Sequence, residues 1–195
     1  MKRLAGAALL LLTALGRDRM VVPAPSQVYA PWEDGLTLGY ENPSLAPEQR
    51  LQERLQVRVK RTAFTGTGRL VVETFTTLSG AMEATFSHSR GGVTLGADPA
   101  RGVRILPEGF PDQVSRWEDR GTFHWVVGRA QVTLPGLKLP ERTGVWVETL
   151  PVGKEGLRQR TLLVPDVGEV ETLIWREGAW VPVARLVSRG FTDLK

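Results

Sequence analysis

From Leu36 onward the chain repeats one pattern: short runs of alternating apolar and polar side chains, separated by turns rich in Gly and Pro. Period two is the spacing of a strand with one face in a core, because successive side chains of a strand point to opposite faces. Leu36, Leu38 and Tyr40 share one phase, and Leu55, Val57 and Val59 alternate with Gln56, Arg58 and Lys60. Residues 69–78 are rich in β-branched side chains and follow the turn Gly66-Thr67-Gly68. Met82, Ala84 and Phe86 alternate next, and Ser89-Arg90-Gly91-Gly92 turns the chain into residues 93–95.

The second half repeats the pattern. Residues 123–134 read as one long strand, with Gly128 as a bulge position. Val145, Val147 and Thr149 alternate with Trp146 and Glu148. Residues 157–164 lead through Pro165 to residues 168–175, and Glu177-Gly178 joins these to residues 179–188 in a tight hairpin flanked by Trp175 and Trp180. Asp98-Pro99 and residues 107–111 read as loops. Only residues 45–55 have a helical composition, with Pro47 suited to a first helical turn. About ten strands with short turns, and at most one or two short helices, predict an all-β fold. The architecture expected is a strongly bent antiparallel sheet or incomplete β-barrel. With 195 residues the chain makes one domain, placed at 32–195, that can bury a core without metal or disulfide.

Upstream of that domain, Lys2 and Arg3 precede an uncharged apolar run of 13 residues, 4–16. A membrane-spanning helix needs about 20 apolar residues, so the run matches the core of a secretory signal instead. Ala14 and Gly16 are small where a signal peptidase reads, which predicts a signal peptide over 1–16 and no stable transmembrane span after its removal. Retention as an uncleaved anchor is the other reading, since Arg17, Asp18 and Arg19 follow directly. Pro23, Pro25 and Pro31 favour an extended linker over 17–31. The expected localisation is exported: periplasmic, cell-envelope or extracellular.

Composition removes several function classes. The chain has no Cys, which excludes disulfides, thiolate metal sites, a Cys nucleophile and the lipidated Cys of a bacterial lipoprotein. A net charge of +4 is too mild and too evenly spread for nucleic-acid binding.

Three motifs carry a resemblance. Residues 31–40 read Pro-Trp-Glu-Asp-Gly-Leu-Thr-Leu-Gly-Tyr, residues 164–170 read Val-Pro-Asp-Val-Gly-Glu-Val, and Arg104-Ile105-Leu106-Pro107 lies between them. Their order resembles a group of exported bacterial proteins, many of unknown function. These open on Pro-x-x-x-Gly-x-x-Trp-x-Tyr and close on Ala-Pro-Gly-Val-Gly-x-Val before a final hairpin. Leu38 stands at the place of the opening Trp and Asp166 at the place of the first Gly. The resemblance implies a bent sheet similar to the half-barrel of the LolA/LolB-like lipoprotein carriers. It brings no shared catalytic residues.

Candidate chemistry is sparse. His88 and His124 are the only His, 36 residues apart, and no spacing links them to a carboxylate as a metal site. Ser87 and Ser89 flank His88, but neighbours in a strand face opposite ways, a poor nucleophile–base arrangement. Gly66-Thr67-Gly68 is followed by β-branched residues, not the helix a phosphate loop needs, and Gly153-Lys154 lacks the earlier Gly of a P-loop. Glu33-Asp34 and Glu118-Asp119 read as solvated loop charges. The six Trp, at 32, 117, 125, 146, 175 and 180, either line a hollow or, more simply, fill the core.

Three readings follow. The first is a non-catalytic envelope protein that binds a hydrophobic ligand, or a lipidated or protein partner, in the hollow of its sheet. It predicts a deep apolar pocket. The second is a structural or interaction module without a small ligand, which predicts a filled interior. The third is a hydrolase, which predicts converging polar groups with displaced pKa values. No catalytic residue, metal or cofactor is assigned from the sequence, and the ligand-binding residues stay unnamed.

Overall fold

The computed structural model describes residues 25–30, 33–66, 68–154 and 157–192. The signal segment, Trp32 and Thr67 lie outside the described residues. Twelve strands form one antiparallel sheet. They are β1 (Leu36–Glu41), β2 (Leu55–Thr65), β3 (Gly68–Thr77), β4 (Gly80–Ser89), β5 (Gly92–Leu95), β6 (Val103–Pro107), β7 (Arg116–Asp119), β8 (Thr122–Leu134), β9 (Leu139–Pro151), β10 (Gln159–Val164), β11 (Gly168–Arg176) and β12 (Ala179–Phe191). Strands β1 to β6 form one meander and β7 to β12 a second, and β12 pairs with β1 to join them. That closing pair is tight: a Cβ on Gly39 would stand 2.3 Å from the Ser188 Oγ.

The two free edges, β6 and β7, curl round until they touch. The Arg104 backbone N–H donates to the Asp119 carboxylate at 2.8 Å across this seam, and the Arg120 guanidinium donates to the Arg101 carbonyl. The sheet is therefore a nearly closed barrel, not the half-barrel the resemblance implied. It has 12 strands where about ten were expected, and the two not counted are these edges. An edge strand pairs on one side only and here has five residues or four, so little periodicity survives in it. Glu118 and Asp119, expected in a loop, belong to β7.

Cross-strand partners share a face, so the register gives the rows of the interior. Leu38 lies beside Val57 and Val57 beside Phe75; Val59 lies beside Glu73; Val71 lies beside Phe86; and His88 lies beside Val93 and Val93 beside Leu106. Leu36, Leu38, Val59, Val71 and Val164 are buried in the larger core cluster. Each such burial is worth about 1.5–3 kcal/mol. Tyr29, Phe110, Val145 and Val147 belong to a second cluster.

Residues 25–29, expected within an extended linker, form a 3-10 turn instead. It crosses from β5 and β6 to β11. The Gln27 amide donates to the Ser89 carbonyl at 2.7 Å, the Asp166 N–H donates to the Val28 carbonyl at 2.7 Å, and the Tyr29 ring meets Phe110 edge-on at 5.1 Å. Asp166, at the place of the motif's Gly, holds the left-handed conformation with φ 61° that Gly adopts without strain. The helical expectation over 45–55 contracts to one exposed α-helix, Pro47–Gln52, with Pro in its first turn. Among the described residues no helix is long and apolar enough to cross a membrane.

Candidate functional site

The bent sheet encloses a cavity of about 220 Å³. Its walls come from β1 to β6, β10, β11 and β12, and the 3-10 turn adds Tyr29 and Ala30. Most of the lining is apolar, with Leu38, Val57, Phe75, Phe86 and Leu106 among it. Besides Tyr29, four polar side chains interrupt it: Tyr40, Glu73, His88 and Glu169.

These four arrive by strand geometry. On β3, Val71, Glu73 and Phe75 share the inward phase, so Glu73 is a carboxylic acid at a core position, 6% exposed. Burial pushes its pKa up to about 7. On β4, His88 follows Phe86 inward and is 2% exposed. Neither of its ring nitrogens has a hydrogen-bond partner, and burial, helped by the nearby Arg69 charge, pushes its pKa down to about 4. Glu169 lies at a bulge, where the pairing steps from Leu162↔Glu171 to Leu163↔Glu169 and leaves Val170 unpaired. The Thr172 hydroxyl donates to its carboxylate, whose pKa burial raises. The Tyr40 hydroxyl donates to the Glu169 backbone carbonyl at 3.0 Å, and burial holds this phenol well above its ordinary value.

Sequence reasoning named His88 and missed Glu73, Glu169 and Tyr40 as cavity groups. The signal for Glu73 was present: it is an acid in phase with Val71 and Phe75. Glu169 carried no such signal, because the bulge breaks the phase of its strand.

The other candidates separate. His124 lies on β8, stacked on Trp117 at 4.8 Å, with Nδ1 3.1 Å from the Thr149 hydroxyl. It lines a separate, open groove with Trp117 and Trp125. Among the described residues no Trp lines the cavity that His88 lines. Trp146 packs against the larger core, and Trp175 and Trp180 meet at 5.2 Å across the β11–β12 hairpin, as the turn predicted. At the Gly66 motif β2 and β3 meet as a hairpin, with Thr65 paired to Gly68. Glu33 pairs with Arg189 at 3.3 Å on the surface. Among the described residues, no three His or acidic side chains gather as a metal site.

No protein-family model matches this chain, and neither does any curated protein. Two solved structures are similar to it. A protein from Bacteroides fragilis, named as exported and of YmcC-like fold, is 13% identical with a TM-score of 0.56, covering 83% of this chain and 98% of its own. A protein from Parabacteroides distasonis, named as a lipoprotein, is 11% identical with a TM-score of 0.48 over the same shares. The first shows a shared fold. Neither is named as a lipoprotein carrier, so that part of the resemblance stands on the sequence motifs alone.

Proposed function

We propose that this chain is an exported, non-catalytic envelope protein that holds a small hydrophobic ligand, or the apolar end of a larger one, inside its barrel. The cavity carries this reading. Its volume of about 220 Å³ lies between an apolar cavity of ~150 Å³ that binds benzene and the ~300–1,000 Å³ of full ligand sites. A barrel that served only as a scaffold would gain from filling that space, because each lost packing contact costs stability. The N-terminal run supports export, as does the exported protein that shares the fold.

Displaced pKa values at Glu73 and His88 meet half of what a hydrolase requires, but the two groups do not converge. They lie two cross-strand rows apart, and Ser87, next to His88, points to the opposite face of β4.

Native mass spectrometry of protein purified from its own host tests the reading, with titration of octan-1-ol beside it. The expected result is a retained apolar ligand and saturable binding, both abolished by Ala184→Phe, which fills the cavity. A protein that never carries ligand and does not bind octan-1-ol overturns it. Fractionation of the host tests export; an intact chain starting at Met1 in the cytosol would sink it.

A further inference from the structure

The polar groups of the cavity select among hydrophobic ligands. Glu73 and Glu169 bring two carboxyl groups, His88 an imidazole and Tyr29 and Tyr40 phenols, and no Lys or Arg is among the described residues that line the space. Glu169 already accepts from Thr172, whereas Glu73 faces the cavity with its pairing capacity open. His88, 2% exposed, lines the cavity two cross-strand rows away, opposite Arg69, whereas Glu73 is opposite Ala84. A carboxyl held this far from water is costly unless a donor or a cation meets it. These groups do not converge closely enough to hold a metal ion. The complement to a buried carboxyl among apolar walls is an organic cation. A primary ammonium has three N–H donors and no acceptor. Resting on the ligand-binding reading above, the geometry points to an amphiphilic amine as the ligand class, its ammonium on Glu73 and its hydrocarbon along the neighbouring row of Phe75, Val57 and Leu38.

An anionic amphiphile fits worse. It would place like charge beside Glu73 and Glu169, with no cation in the described lining to offset it. The protein's own charge does not favour amines either, since at +4 its general field repels cations. Preference for an amine therefore reports the cavity.

The test is calorimetric titration of octylamine, octan-1-ol and octanoate at pH 8, where an alkylamine (pKa about 10.4, as for Lys) is protonated. Octylamine is expected to bind at least tenfold tighter than octan-1-ol, and octanoate weakest. Glu73→Gln should bring octylamine to the level of octan-1-ol, with folding of the variant checked by circular dichroism and urea unfolding. If that variant fails to fold, the unmodified protein decides. Its preference for the amine should shrink from pH 9 to pH 5 as Glu73 takes up its proton. Over that range Tyr29 and Tyr40 stay protonated and His88 stays neutral, so among the titratable groups of the described lining only Glu169 can add to the change. Octan-1-ol binding as tightly as octylamine, or octanoate binding best, overturns the amine and leaves the apolar site standing. Failure of all three overturns both.

Discussion

Two carboxylates are withdrawn from water on opposite faces of the same sheet, and they are treated in opposite ways. Glu148 on β9 is 0% exposed and points away from the interior that Val147 enters. The guanidinium of Arg158 lies on one of its oxygens and that of Arg160 on the other, the latter at 2.8 Å. Trp180 then lies under Arg160, 4.3 Å from the guanidinium carbon. Glu73 on β3 is 6% exposed, and no described Arg or Lys lines its cavity. The first arrangement spends its charges on one another and belongs to the scaffold. The second leaves a carboxyl among apolar walls with no described Arg or Lys in the lining, the arrangement that the proposed binding site uses.

Removing the cations from Glu148 is the hardest test of this contrast. Arg158→Gln with Arg160→Gln would leave a fully buried carboxylate uncompensated, at a cost of about 3–5 kcal/mol. Urea unfolding at pH 7 measures it. A loss below about 1 kcal/mol would mean that Glu148 finds water easily, and the contrast with Glu73 would collapse.

Glu73 should respond with the opposite sign. Its acid is easier to ionise unfolded, near 4.5, than folded, near 7, so burial costs stability once the pH passes that window. Glu73→Gln is expected to stabilise the protein at pH 8 by about 1–3 kcal/mol and to change little at pH 4, where both states hold the proton. Destabilisation at pH 8 would show an ion partner for Glu73 and remove the basis for calling it open.

His88 supplies the counterweight. Folded it titrates near 4 and unfolded near 6.5, so its contribution is full above 6.5 and is lost as pH falls through 4. Between pH 4.5 and 6.5 the two groups tilt stability in opposite directions, each by at most about 1.4 kcal/mol per pH unit, and nearly cancel. Against the parent protein, Glu73→Gln should make stability climb with pH across that window and His88→Gln should make it fall. Chemical unfolding at half-unit steps reads both slopes; parallel curves for the two variants would refute the pairing.

Alternation made the fold legible where strands have neighbours on both sides. The phases of Leu36, Leu38 and Tyr40 and of Leu55, Val57 and Val59 are those of the interior, and the bulge at Gly128 and the Trp175–Trp180 hairpin stand where the residues put them. Alternation failed at the edges: Arg116–Asp119 carries three charges in four residues and has a ladder on one side only. It failed at the bulge that turns Glu169 inward, and in residues 25–29, whose Pro and Gln suggest a spacer while Tyr29 anchors them to Phe110. The cavity was legible as a possibility but not in its lining. Period two says which side chains point inward, whereas only the curvature says whether they meet; here they leave a space that no described Trp lines.

The smallest effect probes how the outer arrangement keeps its charges in place. Trp180→Leu leaves Glu148, Arg158 and Arg160 intact. It removes the ring under Arg160 and the edge contact with Trp175 at 5.2 Å. Loss of a partly exposed cation–π contact and of an aromatic pair should together cost about 1 kcal/mol. If the ring only covers surface, that cost persists unchanged in an Arg160→Gln background. If it holds the guanidinium against Glu148, a double-mutant cycle will show coupling, because once Arg160 is gone the ring keeps only its longer contact with Arg158, at 5.4 Å. Coupling would make the aromatic pair part of what neutralises Glu148. On the inner face no described Arg or Lys lines the cavity of Glu73, so the proposed amine would supply the cation that Arg158 and Arg160 supply to Glu148.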